Sequence, residues 1–177
     1  GGIITTNNKK LYLKLRQLRD YGRRKRPGQW PVKSYLIGYN SKLSSINAAI
    51  LNIRLKNLDK YVQRRNYNAD IYKDILNSDK IKFQHILNQS LSAWRNFPIR
   101  IKNRNAVYNK IYTKNSNIKL NYLPPNHKDV CYLNLKQKND LKITEKISSE
   151  IMNLPCHPYM TEKEIIKLSK SVLKIVN

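Results

Sequence analysis

The stretch Gly38-Tyr39-Asn40-Ser41-Lys42-Leu43-Ser44-Ser45-Ile46-Asn47-Ala48-Ala49-Ile50 decides how the chain is organised. Gly, Asn and Ser favour turns and helix caps, so the run reads as a turn at Gly38-Tyr39-Asn40 leading into a helix at Ser44. Ile46, Ala49, Ile50, Ile53, Leu58, Tyr61, Val62, Ala69, Tyr72 and Leu76 then roughly trace one face. This spacing predicts a helix from Ser44 to about Asn77, with small Ala residues on its buried side. At ~1.5 Å rise per residue such a helix is about 50 Å long. That exceeds one small domain, so the helix is expected to bridge two, straight or bent, with a boundary near Asp79. The expected division is 1–43, 44–78 and 79–177.

On the N-terminal side, Gly1 to Thr6 is short and β-branched and predicts a strand. Asn7-Asn8 predicts a cap for a helix over Lys9 to Asp20, where Leu11, Leu15 and Leu18 recur at helical spacing. Tyr21-Gly22 ends it, and Arg23 to Ile37, with Pro27, Gly28 and Pro31, predicts a loop. On the C-terminal side, strands are expected over Ala93–Lys102 and Ile118–Tyr122, and helices over Arg104–Lys114 and Thr144–Met152. Asp140 to Ile143 reads as a turn or weak strand. Thr161-Glu162-Lys163-Glu164 is a capping box that starts a last helix bearing Ile165, Leu168, Val172 and Ile175. Strands alternating with helices predict a small α/β sandwich.

Composition narrows the class. The chain has 177 residues, 40% of them hydrophobic, enough for a packed core. No apolar run approaches the roughly 18–20 residues of a membrane span. Cys131 and Cys156 form no CxxC pair, which suits a reducing cytoplasm. A net charge of +24 invites a nucleic-acid reading. Yet Lys and Arg are scattered, and only Arg23-Arg24-Lys25-Arg26 is dense. The 22 Asn, 20 Ile and 12 Tyr against 5 Ala fit the bias of an A/T-rich genome, which inflates Lys without a selected partner. No zinc-finger spacing, P-loop, dinucleotide fingerprint or nucleophile elbow is present.

Three blocks carry a family resemblance: Gly1-Gly2-Ile3-Ile4-Thr5-Thr6-Asn7, the Gly38–Ile50 stretch with Leu55-Lys56-Asn57-Leu58-Asp59, and Leu154-Pro155-Cys156-His157-Pro158. In this order and at these distances they resemble the sugar aminotransferases of the DegT/DnrJ/EryC/StrS family. The resemblance implies the C-terminal part of a fold-type I, pyridoxal-phosphate-dependent transferase: the end of a large cofactor-binding domain, a long linking helix and a small α/β domain. It implies amination of a keto sugar carried on a nucleotide, with an amino donor such as glutamate, by a cytoplasmic homodimer. In the family the cofactor lysine precedes the Gly-Gly pair, so residues 1–177 alone are expected to lack it and to be inactive. Relatives with His at that position are sugar dehydratases, and the deciding residue is not in this sequence.

Individual residues carry two readings. On spacing alone, Asn40 is a turn or cap residue; the resemblance implies that it binds the cofactor phosphate of the neighbouring subunit. Lys42 stands where the family usually has Arg, keeping the charge without the planar fork of donors. Ser45 stands where the family often has an acid, which removes one partner for that cation. Arg23 and Arg24 read as a solvated loop, or, by resemblance, as the mouth of the site facing the substrate diphosphate. Tyr122 and His127, in Tyr-Leu-Pro-Pro-Asn-His, read as a rigid turn, or by resemblance as substrate contacts. His157 reads as a packing or capping residue of the small domain. The rival from another class is a basic nucleic-acid-binding module using Tyr61, Tyr67, Tyr72, Tyr108 and Tyr112. It needs those rings exposed beside cations, whereas Tyr61 and Tyr72 follow the apolar stripe.

Overall fold

The computed structural model describes residues 2–24, 28, 30–113, 117–135 and 139–177. They form two compact units, Gly1–Asn57 and Leu58–Asn177.

The first unit contains α1 (Lys9–Leu18) and α2 (Ser45–Lys56). Asn8 caps α1 by accepting the Leu11 amide at 3.1 Å, and Ser44 caps α2 by accepting that of Asn47 at 3.2 Å. Beyond α1 the chain turns through Tyr21 and Gly22, both at positive φ. Tyr35–Ser41 then returns alongside: Tyr39 N–H donates to Leu18 O, Tyr21 N–H to Tyr39 O and Ser41 N–H to Arg19 O. The two runs touch backbone to backbone. A Cβ on Gly22 would collide with the Leu36 carbonyl, and one on Gly38 with the amide of Gly22. Glycine is required at both places because nothing larger fits.

Two expectations for this unit fail. Residues 2–6 form no strand and are largely exposed, since no strand among the described residues pairs with them. The Ala-bearing helix buries no face: Ala49 is exposed, and so are Ile46, Ile50, Ile53 and Leu55.

The long helix is interrupted at Asn57, whose backbone leaves helical geometry (φ −107°, ψ 4°) while its side chain donates to Ile53 O at 3.2 Å. The sequence holds the reason. The apolar series steps from Ile53 to Leu58, five residues, and so leaves the helical period.

The second unit begins at α3 (Leu58–Ile75) and continues through β1 (Ile81–Phe83), β2 (Asn96–Ile101), α4 (Arg104–Tyr112), two short 3-10 turns, α5 (Lys142–Glu150), β3 (Ile151–Pro155) and α6 (Glu162–Val176). The compact units therefore divide at Asn57, not near Asp79. The cause is burial, since α3 packs on α6 and sinks Asn68, Ala69 and Tyr72 into the core.

The sheet is antiparallel in the order β1-β2-β3, with Ile81 opposite Ile101 and Phe97 opposite Leu154. Alternation along β2 sends Phe97, Ile99 and Ile101 into the core. There Phe97 stacks on Tyr72 with ring centroids 5.0 Å apart. On the opposite face Arg100 pairs with Glu150 of α5 at 2.6 Å.

Sequence reading missed β1, and it extended the α5 helix through Met152, where β3 has already begun. It also expected a strand at Ile118–Tyr122 where only a single bridge, Lys119 to Asn153, forms. Residues 142–143, read as a turn or weak strand, open α5.

Polar side chains of α3 tie down the block around Leu154–Pro158. Arg65 donates to the carbonyls of Trp94 (2.7 Å), Arg95 (3.1 Å) and Cys156 (3.1 Å). Asn68 donates to His157 O at 3.0 Å, and the Tyr72 hydroxyl to Pro155 O at 2.9 Å. Burial pushes the Cys156 thiol up to about 11, so it packs as a small apolar group. No helix among the described residues is long and apolar enough to cross a membrane.

Candidate functional site

The sequence-predicted residues fall into two groups, one in each unit.

In the first unit, the Gly22–Gly38 contact fixes the turn that carries Asn40. Asn40 is bridged to Asp20 in antiparallel fashion, with its side chain on an exposed residue. Two residues on, the Lys42 ammonium lies 2.7 Å from Asp20 Oδ1. The acid that holds the cation comes from the end of the α1 segment rather than from position 45. Asp20 is 7% exposed, while the Lys42 side chain keeps 48% of its surface open. An open amide and a half-open ammonium two residues apart are donors that suit phosphate oxygens.

Arg23 lies over the Tyr21 ring, its guanidinium carbon 4.8 Å from the centroid. Arg23 and Arg24 line a cavity of about 560 Å³ with Arg16, Arg19, Asp20 and Leu36. Lys25 and Arg26, the rest of the basic cluster, lie outside the described residues. Sequence reading missed the α1 contribution to this cavity, because Arg16 and Arg19 read only as the polar face of a helix.

In the second unit, Tyr122 and His127 line one open cavity of about 700 Å³, together with Tyr132, Leu135, Thr144 and Ile147. Tyr122 is 75% exposed. His127 is nearly covered, and its Nε2 lies 3.1 Å from Glu145 Oε1. An ionised carboxylate only accepts, so Nε2 carries a proton and Nδ1 is left to face another partner. The other Glu145 oxygen receives Lys128 Nζ at 2.8 Å. Hydrogen bonds from Lys128 and then His127 hold the Glu145 carboxyl below its ordinary value. Sequence reading passed over Glu145, which lies eighteen residues beyond His127 and belongs to no local motif.

The tyrosines of the nucleic-acid reading are engaged within the chain. Tyr72 is fully buried, Tyr67 donates to Glu162 at 2.8 Å, and Tyr108 and Tyr112 stack on each other at 5.2 Å. Tyr61 meets Tyr159 edge-on at 5.9 Å.

The sequence profile of the DegT/DnrJ/EryC1/StrS aminotransferase family matches residues 1–173. The chain belongs to this family. It is 32% identical over 172 residues to the dTDP-3-amino-3,6-dideoxy-alpha-D-galactopyranose transaminase of Aneurinibacillus thermoaerophilus, covering 97% of this chain and 46% of that protein. It is 30% identical over 169 residues to the dTDP-4-amino-4,6-dideoxy-D-glucose transaminase of Shigella dysenteriae, covering 89% and 43%. The structure of a family aminotransferase from Brucella abortus superposes with a TM-score of 0.85 at 26% identity, covering 97% of this chain and 45% of that one. Helicobacter pylori PseC, an aminotransferase of pseudoaminic acid biosynthesis, superposes at 0.86 with 22% identity over 97% and 47%, a likeness of fold. The chain thus spans about half the length of the relatives it matches. The family's enzymes depend on pyridoxal phosphate, and the fold is that of fold-type I transferases.

Proposed function

We propose that this chain works within a pyridoxal-phosphate-dependent aminotransferase that aminates a keto sugar linked to a nucleotide, in the cytoplasm, with an amino donor such as glutamate. The family match over residues 1–173 carries this reading. The transaminase names of the relatives favour it over the sugar-dehydratase alternative. When bound, the cofactor supplies an electron sink for moving an amino group.

The roles of the chain's own residues follow from their chemistry. Asn40 donates its amide to a phosphate oxygen of the cofactor, and Lys42 adds charge from beside Asp20. In this reading the loop lies against the neighbouring subunit of a homodimer, as the resemblance implies. The exposed apolar residues of α2, among them Ile46 and Ile53, give that assembly a surface to cover. Arg23 and Arg24 attract the diphosphate of the substrate. Tyr122 offers a ring and a hydroxyl to the sugar, and His127 presents Nδ1 to a sugar hydroxyl while Glu145 keeps the imidazole oriented. Binding to nucleic acid is weak, blind to sequence and lost with salt.

Residues 1–177 alone carry no cofactor lysine in this reading. The test is to mix the chain with pyridoxal phosphate at neutral pH, reduce with borohydride and map the label by mass spectrometry. Diffuse, substoichiometric labelling is expected. Stoichiometric labelling of one lysine would place the cofactor chemistry inside these residues and overturn the assignment. In the intact enzyme, Asn40→Ala is expected to weaken cofactor binding about tenfold, the worth of one hydrogen bond to a charged group. Unchanged affinity would remove Asn40 from the site.

A further inference from the structure

A third cavity lies in the second unit, bounded by β1, β2, α4, α5 and the last turn of α6, with a volume of about 590 Å³. It shares no lining residue with the Tyr122–His127 cavity, although α5 walls both. Eight of its fourteen lining residues are charged, against 26% of the chain. Six are cations (Lys80, Lys82, Arg100, Lys102, Lys110 and Lys146) and two are acids (Asp79 and Glu150), a local excess of four positive charges.

The cations are not equivalent. Arg100 is held by Glu150, which accepts from Nε at 3.1 Å and from a terminal nitrogen at 2.6 Å. Lys80 donates to the carbonyls of Val176 and Asn177 at 3.2 and 3.1 Å. The other four, Lys82, Lys102, Lys110 and Lys146, form no ion pair within 4.0 Å among the described residues. The sheet register adds a second observation. Lys82 lies directly opposite Arg100 across β1 and β2, a like-charge pairing that destabilises a sheet unless an anion answers it. Glu150 answers part of it, and the remaining excess faces the cavity beside the apolar side chains of Ile101, Val107 and Ile175. Low-dielectric walls focus the field of the ammonium groups on an anion in the cleft.

We propose that this cavity is a binding site for a compact polyanion of the diphosphate class. Several unpaired ammonium groups around one concavity, with a local excess of four positive charges, match a small molecule that carries more than the roughly two negative charges of a single phosphate. A diphosphate can arrive free or as part of a nucleotide, and the chemistry of recognition is the same. The inference is independent of the cofactor and substrate roles above, since it uses none of their residues.

The experiment titrates the 177-residue chain with inorganic pyrophosphate, with dTDP and with a single-stranded oligonucleotide at about 150 mM salt, where exposed charges are screened. One equivalent of pyrophosphate is expected to bind saturably. Equal affinity for dTDP identifies the diphosphate as the whole ligand, and tighter dTDP binding identifies a nucleotide as its source; both support the site. The double variant Lys102→Ala/Lys146→Ala should weaken binding about tenfold or more, as loss of charge-assisted hydrogen bonds predicts. Lys163→Ala/Lys170→Ala, with the same change in net charge on exposed positions of α6, should leave it unchanged. In the unmodified chain, pyrophosphate should also slow acetylation of Lys82, Lys102, Lys110 and Lys146 relative to Lys163 and Lys170. Absence of saturation, equal weakening by both variants, or tighter binding of the oligonucleotide than of either diphosphate would overturn the proposal.

Discussion

Lys42 Nζ lies 2.7 Å from Asp20 Oδ1, so the cation of the Gly-Tyr-Asn block is held by a nearly buried carboxylate from the other side of the turn. The pair joins the α1 end to the start of α2, where Ser41 N–H also donates to Arg19 O at 3.0 Å. Lys42→Ala removes this partner from Asp20. Because the Lys42 side chain is half open to solvent, the expected loss is about 0.5–1 kcal/mol. Amide exchange at Tyr39 and Ser41 should accelerate accordingly, and Lys42→Arg should restore protection. Unchanged exchange in Lys42→Ala would show that the pair adds nothing to the turn.

Gly38 and Gly22 approach each other through bare backbone. Gly38→Ala puts a methyl group against the Gly22 amide and the Tyr21 carbonyl carbon, neither of which can move like a side-chain tip. A cost of about 1–3 kcal/mol is expected, as for overpacking elsewhere. Limited proteolysis should find the first unit opened and the second intact. Gly2→Ala, with nothing within 4 Å of the new atom, is the neutral control. Equal resistance of Gly38→Ala and the parent would contradict the close approach.

Thr161 and Glu164 close a reciprocal cap at the start of α6: the Glu164 amide donates to Thr161 Oγ1 at 3.3 Å, and the Thr161 amide to Glu164 Oε2 at 2.8 Å. Thr161→Ala should cost about 1 kcal/mol. Thermal melting of the second unit reports it, and Thr161→Ser should be near neutral. A melting temperature unmoved by Thr161→Ala would mean that α6 is held by packing alone.

Where local chemistry decides structure, the sequence was readable. Thr161-x-x-Glu164 marks a cap by itself, and Gly38-Tyr39-Asn40 with two flanking blocks pointed to the family and the fold. What escaped depends on partners far along the chain. β3 over Ile151–Pro155 continues directly from α5, and only its pairing with Asn96–Arg100 distinguishes strand from further helix. β1 is three residues long and exists because β2 lies beside it. The α2 stripe looked like a buried face by period alone, yet period does not say what covers a helix. The candidate site divides the same way. Asn40, Lys42, Tyr122 and His127 sit in local motifs, whereas Asp20 and Glu145 reach them through turns and tertiary packing.

Acid should weaken the second unit. Hydrogen bonds from Arg100, and the amide and hydroxyl of Thr161, hold the carboxyls of Glu150 and Glu164 below their ordinary values, as Lys128 and His127 do for Glu145. A carboxyl whose folded pKa is depressed contributes its full stability above the unfolded value of about 4.3, and loses it as pH falls through the folded value. Stability should be flat with respect to these groups from pH 7 to about 5 and decline below about 4.3. Urea titrations across that range should show a shallower decline for Glu150→Gln, whose side chain no longer titrates. An identical slope in variant and parent would exclude Glu150 as a contributor.

Arg104 makes the most demanding prediction, because its guanidinium is buried and pairs with no carboxylate among the described residues. It is 4% exposed and donates to the Ile151 carbonyl at 2.8 Å and the Ser148 carbonyl at 3.0 Å, closing the C-terminal end of α5 as the chain turns into β3. Desolvation lowers its pKa from the ordinary arginine value. The charge is tolerated because it answers carbonyl oxygens that α5 leaves open at its end, where the helix dipole is negative. Arg104→Met fills similar volume but leaves both carbonyls without this donor, an expected loss of about 2–4 kcal/mol. Arg104→Lys, reaching one carbonyl as a point charge, should fall between. The order of urea midpoints, parent above Lys above Met, is the readout. A Met variant as stable as the parent would show that water satisfies those carbonyls and that the buried arginine is not what stops α5.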